Sequence, residues 1–259
     1  MSLAKAGRTE RSLIATARLA AALNILSAVP DGFSVSVVRK LVVRGDATAT
    51  AANILGSEGL FRLGVVADLG ALMLFIASGV LLYELFKPAS RSLGLLFLVL
   101  FEACALIQSL NAIHNLAALL LVKGGPGLSG LAPAQANAMA LVFLRLYSLN
   151  FNLALVFGGA SSIVMGSLIL RATFVPRIIG PLMILDGLGY LTFSLAAFLS
   201  PSLAARIYPY IPFVTAAIGE GALFLWLIVK GVNAERWQEQ AATMDRGALE
   251  EARIEVQSP

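Results

Sequence analysis

Residues 93–122 read LGLLFLVLFEACALIQSLNAIHNLAALLLV, with Glu102 and His114 as the one acid and the one base in the run. A hydrocarbon core about 30 Å thick is crossed by roughly 20 apolar residues in a helix, so this stretch is long enough to span a bilayer. Five further runs have the same character, near residues 12–30, 60–86, 137–170, 178–199 and 208–230. The pattern predicts an all-α, polytopic membrane protein: six transmembrane helices in a single bundle over residues 1–232, then a charged cytoplasmic tail over 233–259. The first run is the weakest, because Arg18 and Asn24 interrupt it. Lys5, Arg8 and Arg11 before it suggest a signal peptide, but an arginine in the apolar region and the lack of a small-x-small site before Pro30 favour a retained helix.

Composition agrees. Of 259 residues, 58% are hydrophobic and 13% charged, and the mean hydropathy is +0.85. Soluble domains hold about 45–50% apolar and about 25% charged residues. An ordinary cytosolic enzyme, a disordered protein and a nucleic-acid binder are excluded on that ground. The net charge of +4 reads as membrane topology rather than an anionic partner. One cysteine, Cys104, excludes an internal disulfide, and the single His114 excludes a His-rich metal site. No metal and no cofactor are expected.

Helix breakers fall between the runs: Lys87-Pro88, Gly124-Gly125-Pro126-Gly127, Pro176 and Ser200-Pro201. Pro209 and Pro212 sit in the first turns of the sixth run, where a missing amide donor costs least. The fourth run is too long for the bilayer and must tilt or protrude. In the loop expected over 31–59, Asp46 can cap a short helix through Thr48–Leu55 that Gly56 stops, lying on the outer leaflet or acting as a lid. The tail from Asn233 reads as a solvated, fraying helix.

Lys5, Arg8, Arg11, Lys87, Arg91, Arg171, Arg177, Lys230 and Arg236 flank the runs on one side. Arg39, Lys40, Arg44, Lys123 and Arg206 lie on the other, with Arg62 at the boundary. The first group is larger, so both termini are expected in the cytoplasm and the protein in the inner (plasma) membrane.

Three stretches carry a resemblance. Gly45-Asp46-Ala47-Thr48-Ala49-Thr50-Ala51-Ala52-Asn53-Ile54, continuing Ser57-Glu58-Gly59-Leu60-Phe61-Arg62-Leu63-Gly64, is the first. Val175-Pro176-Arg177-Ile178-Ile179-Gly180 with Gly187-Leu188-Gly189-Tyr190 is the second, and Gly219-Glu220 with Leu225-Trp226-Leu227-Ile228-Val229-Lys230-Gly231 the third. Together they resemble the bacterial domain-of-unknown-function family numbered four-three-eight-six. The resemblance implies a six-helix integral membrane protein without an established activity. Members carry histidines in the fourth helix, where this chain has Tyr147 and Ser161. That departure weakens any metal or proton-relay reading built on the family.

Five ionisable side chains lie deep in the runs: Asp68, Glu102, Arg145, Asp186 and Glu220. Such groups are costly in hydrocarbon and normally face a cavity or a partner. Four carboxylates against one arginine cannot all be neutralised by pairing, so some hold protons, water or a ligand. At about 100° per residue, Gln108, Asn111 and Asn115 share a face, with His114 at its edge and Glu102 roughly opposite. Arg145, Ser148 and Asn152 share another face, and Tyr147 and Asn150 a third. Arg145 cannot shed its charge, so Glu102, Arg145 and Glu220 are expected to line one internal polar site. Asp68 and Asp186 are alternates as the arginine's partner, with Asn111, His114 and Asn115 nearby. The competing reading is that these groups only assemble helices. His114 alone reads as a packing histidine, Cys104 as a small apolar filler, and Gly158, Ser162 and Gly166 as a close-packing stripe.

No Gly-x-Ser-x-Gly elbow, His-Glu-x-x-His helix or Asp-rich motif is present. Three functions stay open. The first is binding or transport of a small hydrophobic or lipid-like ligand. The others are carboxylate acid/base catalysis of the cyclase or isomerase type, and a structural or accessory role. The lipid bilayer is the expected partner, nucleic acid is not, and the oligomeric state is open. Reporter fusions after residues 45, 90, 130, 174, 203 and 259 test the topology. Signals at 90, 174 and 259 should be cytoplasmic, and an external signal at 90 or 259 defeats it.

Overall fold

The computed structural model describes residues 3–125, 127, 128 and 130–257, with side chains over 10–246 of these. Among them there are helices and no strand. The helices are α1 (Leu3–Leu41), α2 (Ala47–Gly56), α3 (Glu58–Phe86), α4 (Arg91–Lys123), α5 (Pro133–Arg171), α6 (Ile179–Leu199), α7 (Pro201–Ile207), α8 (Tyr210–Val229) and α9 (Ala234–Gln257). Six of them, α1, α3, α4, α5, α6 and α8, are long and apolar enough to cross a membrane. The outward surfaces carry the pattern that lipid demands. On α4, Val99, Leu106, Ile113 and Leu120 recur every seven residues and are 62–63% exposed. On α3, Val66, Met73 and Val80 recur at the same interval and are also exposed. Stripes of large exposed aliphatics at that period face lipid rather than water.

The chain forms two compact units. One is Met1–Ala22, Ser78–Phe101 and Gly158–Pro259; the other is Leu23–Ala77 and Glu102–Phe157.

In the second unit the helix expected to end at Pro30 runs on to Leu41. Proline removes one hydrogen bond, but ending the helix in hydrocarbon would leave several backbone groups without partners. Beyond Pro30, Ser34, Val37 and Leu41 continue a buried stripe at helical spacing. Val37 and Leu41 pack with Ile54, Phe61, Ala118, Leu119, Leu121, Ala140 and Leu144. The loop is therefore shorter than 31–59, and the first family stretch builds it. Gly45 takes a positive φ of 81°, which glycine adopts without a Cβ clash. Asp46 caps α2 by accepting from the Ala49 amide at 2.8 Å. Thr50 bonds the Val43 backbone, and Asn53 donates to the Leu41 carbonyl at 3.1 Å, filling an open end of α1. Glu58 joins Arg62 and Lys123, each at 2.8 Å.

In the first unit, α5 and α6 pack backbone to backbone through two glycine pairs. A Cβ on Gly166 would stand 2.5 Å from the Gly180 carbonyl oxygen, and one on Gly180 would stand 2.8 Å from that of Gly166. Two helical turns along, Gly159 and Gly187 repeat the reciprocal contact. This is small-residue packing as the sequence suggested, centred on Gly159 and Gly166 rather than on Gly158. On the other side of α6, Gly219 of α8 abuts the Leu182 carbonyl and the Asp186 Cβ, each 2.6 Å from an added Cβ. Ser78 of α3 donates to the Ala20 carbonyl of α1 at 2.9 Å.

The tail is a helix as expected, but its start is tied to the rest of the unit. Gly231, with φ of 70°, turns the chain out of α8. The start of α9 is then held by side-chain bonds to helix ends. Trp237 donates to the Leu85 carbonyl at 2.7 Å, and Gln240 donates to that of Arg171 at 3.0 Å. The Thr173 amide and hydroxyl donate to Gln240, each at 3.0 Å. Orphan carbonyls at the ends of α3 and α5 are thereby satisfied. The sixth span begins at Tyr210, after the short α7 that Pro201 starts and an extended Tyr208 that separates the two helices.

Gly187→Val should destabilise the protein by about 1–3 kcal/mol, since the obstructing atom is a backbone carbonyl that no rotamer change can move. Gly70→Ala, on α3 with open space around it, should cause no loss. Thermal unfolding in one detergent compares the two.

Candidate polar sites

The first polar site lies between α5, α6 and α8 in the unit that contains Gly158–Pro259. Asp186 is fully buried, and neither of its oxygens has a hydrogen bond of good geometry among the described residues. The Ser162 hydroxyl of α5 acts on this carboxyl, and the Glu220 carboxylate lies within electrostatic reach. Tyr190, one turn after Asp186, donates to Glu220 Oε1 at 3.2 Å. The glycine contacts set this arrangement. Gly187 seats α6 against α5, and Gly219 lets α8 approach the Asp186 Cβ. Two carboxylates and a phenol are thus held together. Phenol and carboxylates together offer a proton donor and several acceptors.

The second site lies in the unit of Leu23–Ala77 and Glu102–Phe157. Asp68 is 2% exposed and its Oδ2 has no hydrogen-bond partner among the described residues. Asp31 of α1 acts on it electrostatically, and both act on Tyr147 of α5. In the same unit Asn150 Nδ2 donates to Asn111 Oδ1 at 2.8 Å and to the Ile107 carbonyl at 2.7 Å. Asn115 is buried with its carbonyl oxygen unsatisfied, as are Glu102 Oε1 and His114 Nδ1 on half-buried side chains. The His114 ring lies 6.4 Å from that of Phe143.

Asp186 and Glu220 come together, and Asn111 finds a partner on α5. Arg145 does not join them. It is exposed on α5, and among the described residues it forms no ion pair. Ion pairs among the described residues, such as Arg62–Glu58, Lys123–Glu58 and Lys87–Glu84, lie at helix ends. Asn150 is buried and Tyr147 half-buried on α5, whereas Arg145 and Ser148 are exposed. Amides can satisfy one another inside a bundle, whereas a guanidinium stays charged. Glu102 belongs to one unit and Glu220 to the other.

Sequence reasoning missed Asp31, because Pro30 was read as the end of the helix. The Ser34, Val37, Leu41 spacing was the available signal. It also passed over Tyr190 as a partner, although that residue follows Asp186 by four positions and shares its face. The second and third family stretches meet here, supplying Gly180, Gly187, Tyr190, Gly219 and Glu220. Among the described residues, no three metal-ligating side chains converge.

A family model described as a domain of unknown function, DUF4386, matches residues 19–231. The chain belongs to that family. No curated protein and no solved structure matches it. Membership adds no activity to the geometry, but it spans both polar sites and all six candidate spans except the start of α1.

Replacing Asn150 by Leu should cost about 1–3 kcal/mol, because it strands the Asn111 carbonyl oxygen in the interior. Asn111→Leu with Asn150→Leu should cost less than the sum of the single changes. A double-mutant cycle read by thermal unfolding measures the coupling, which is typically about 0.6 kcal/mol in membrane helices.

Proposed function

We propose that this family member binds, and in doing so carries or presents, a small lipid-like molecule whose polar head meets the carboxylates of α6 and α8. The observation behind this reading is Asp186. It is fully buried, the Ser162 hydroxyl approaches it without a hydrogen bond of good geometry, and no cation is paired to it among the described residues. A carboxylate in that position gains most from a head group that donates hydrogen bonds or carries positive charge, such as an amine. The apolar helices around it suit a hydrocarbon tail.

The Tyr190–Glu220 hydrogen bond favours a second reading. A phenol and two carboxylates are a sufficient set for proton transfer to and from a hydrophobic substrate, without any nucleophile.

We further propose that the protein sits in the inner (plasma) membrane with both termini in the cytoplasm. The distribution of Lys and Arg supports this. So does α9, whose bonds gather the ends of α3 and α5 beside the tail, with Lys87, Arg171 and Arg236.

Mass spectrometry of the purified full chain should detect a co-purified amphiphile with an amine or hydroxyl head. Added dodecylamine should raise the unfolding temperature, and dodecanoate should not. Asp186→Asn with Glu220→Gln should weaken dodecylamine binding about tenfold, the equivalent of one charge-assisted hydrogen bond. If incubation chemically alters the co-purified molecule, catalysis replaces simple binding. A chain with no bound molecule, and no difference between the amine and the acid, leaves helix packing as the role of these groups.

A further inference from the structure

The face of α1 at its start carries charge that the polar sites do not use. Arg11, Ile14, Ala15, Arg18, Leu19 and Ala22 line an open groove of about 620 Å³. Their spacing, at i, i+3, i+4, i+7, i+8 and i+11, makes them one stripe of the helix. Arg11 and Arg18 are both exposed and stand two turns apart, about 10 Å along the axis. Neither has a carboxylate within ion-pair distance among the described residues, and no acid lines the groove. Glu10 adjoins Arg11 in sequence, but it does not line the groove. Ile14 also touches the α8–α9 turn, where a Cβ on Gly231 would lie 3.2 Å from Ile14 Cγ2. Exposed Lys230, the preceding residue, adds a further positive charge there.

We infer that this stripe is a binding site for an anionic phospholipid. The phosphate sits between the two guanidinium groups, whose planar forks match phosphate oxygens. An acyl chain runs on along Leu19 and Ala22, where alanines at 15 and 22 leave the groove open. The charge pattern selects the occupant. Arg18 lies within an apolar span, where a charge needs a partner or a path to the interface. A lipid phosphate supplies that partner while the hydrocarbon below it meets apolar side chains. A protein partner would be expected to bring carboxylates, and a zwitterionic lipid brings its own cation to the same site.

The test titrates the purified full chain with phosphatidylglycerol and phosphatidylcholine of matched chain length, counting bound lipids by native mass spectrometry. Wild type should hold phosphatidylglycerol about tenfold more tightly. Arg11→Gln with Arg18→Gln should abolish that preference, and Arg11→Lys with Arg18→Lys should keep part of it. Ala15→Trp, which fills the groove and leaves both charges, should also abolish it. If the double glutamine variant does not fold, Ala15→Trp decides. Equal binding of the two lipids by wild type overturns the assignment. So does an unchanged preference in the glutamine or tryptophan variant, or displacement of phosphatidylglycerol by millimolar inorganic phosphate.

Discussion

The backbone contact between α5 and α6 is the constraint on which one unit of the molecule depends. In lipid, apolar side chains gain little by leaving one hydrocarbon for another, so helices must find close packing or polar bonds. Gly159 with Gly187, and Gly166 with Gly180, provide the closest approach available to two helices. Because the pairs are reciprocal and two turns apart, they fix both the antiparallel register and the rotation of α6 about its axis. That rotation puts Asp186 in the interior, and Gly219 then brings α8 onto the same residue. The buried carboxylate is a consequence of glycine geometry on both of its flanks.

The chain uses buried polar groups in two different ways. Around Asn111 and Asn150, donor meets acceptor and the bonds hold helices together. Around Asp186 and around Asp68, acids meet acids or phenols, and oxygens remain without donors. Placing like-charged groups together in a medium that solvates them poorly works against packing. A purely structural role would be served better by amides or by apolar residues of similar size. This contrast inside one chain separates helix glue from a candidate binding site more clearly than the depth of any single residue does.

Much of this was legible in the sequence. The six spans follow from run length, the α2 cap from Asp46, and close packing of α5 from its small residues, although Gly159 and not Gly158 makes the contact beside Gly166. What misled was the reading of Pro30 as the end of the first helix. Pro30 ends nothing, since hydrocarbon penalises free carbonyls more than a kink, and Asp31 was therefore assigned to a loop. Arg145 was placed inside on the argument that a charge needs a partner, but its face of α5 turned out to be the exposed one. Helical periodicity shows which residues share a face; it does not say which face a neighbour will cover. The tail misled for a related reason. Trp237 and Gln240 look like surface residues of a polar helix until the carbonyl ends they fill are placed beside them.

That last feature bears on time. The Leu85 carbonyl waits for the indole of Trp237, which follows it by 152 positions. At a synthesis rate of about 5–20 residues per second, the delay is about 8–30 s. During that interval α3 has been made and its final carbonyls face water at the membrane surface. The last bonds to form are those that tie the tail to the middle of the chain. Synthesis of Trp237 and Gln240, rather than insertion of any one helix, closes this end of the fold.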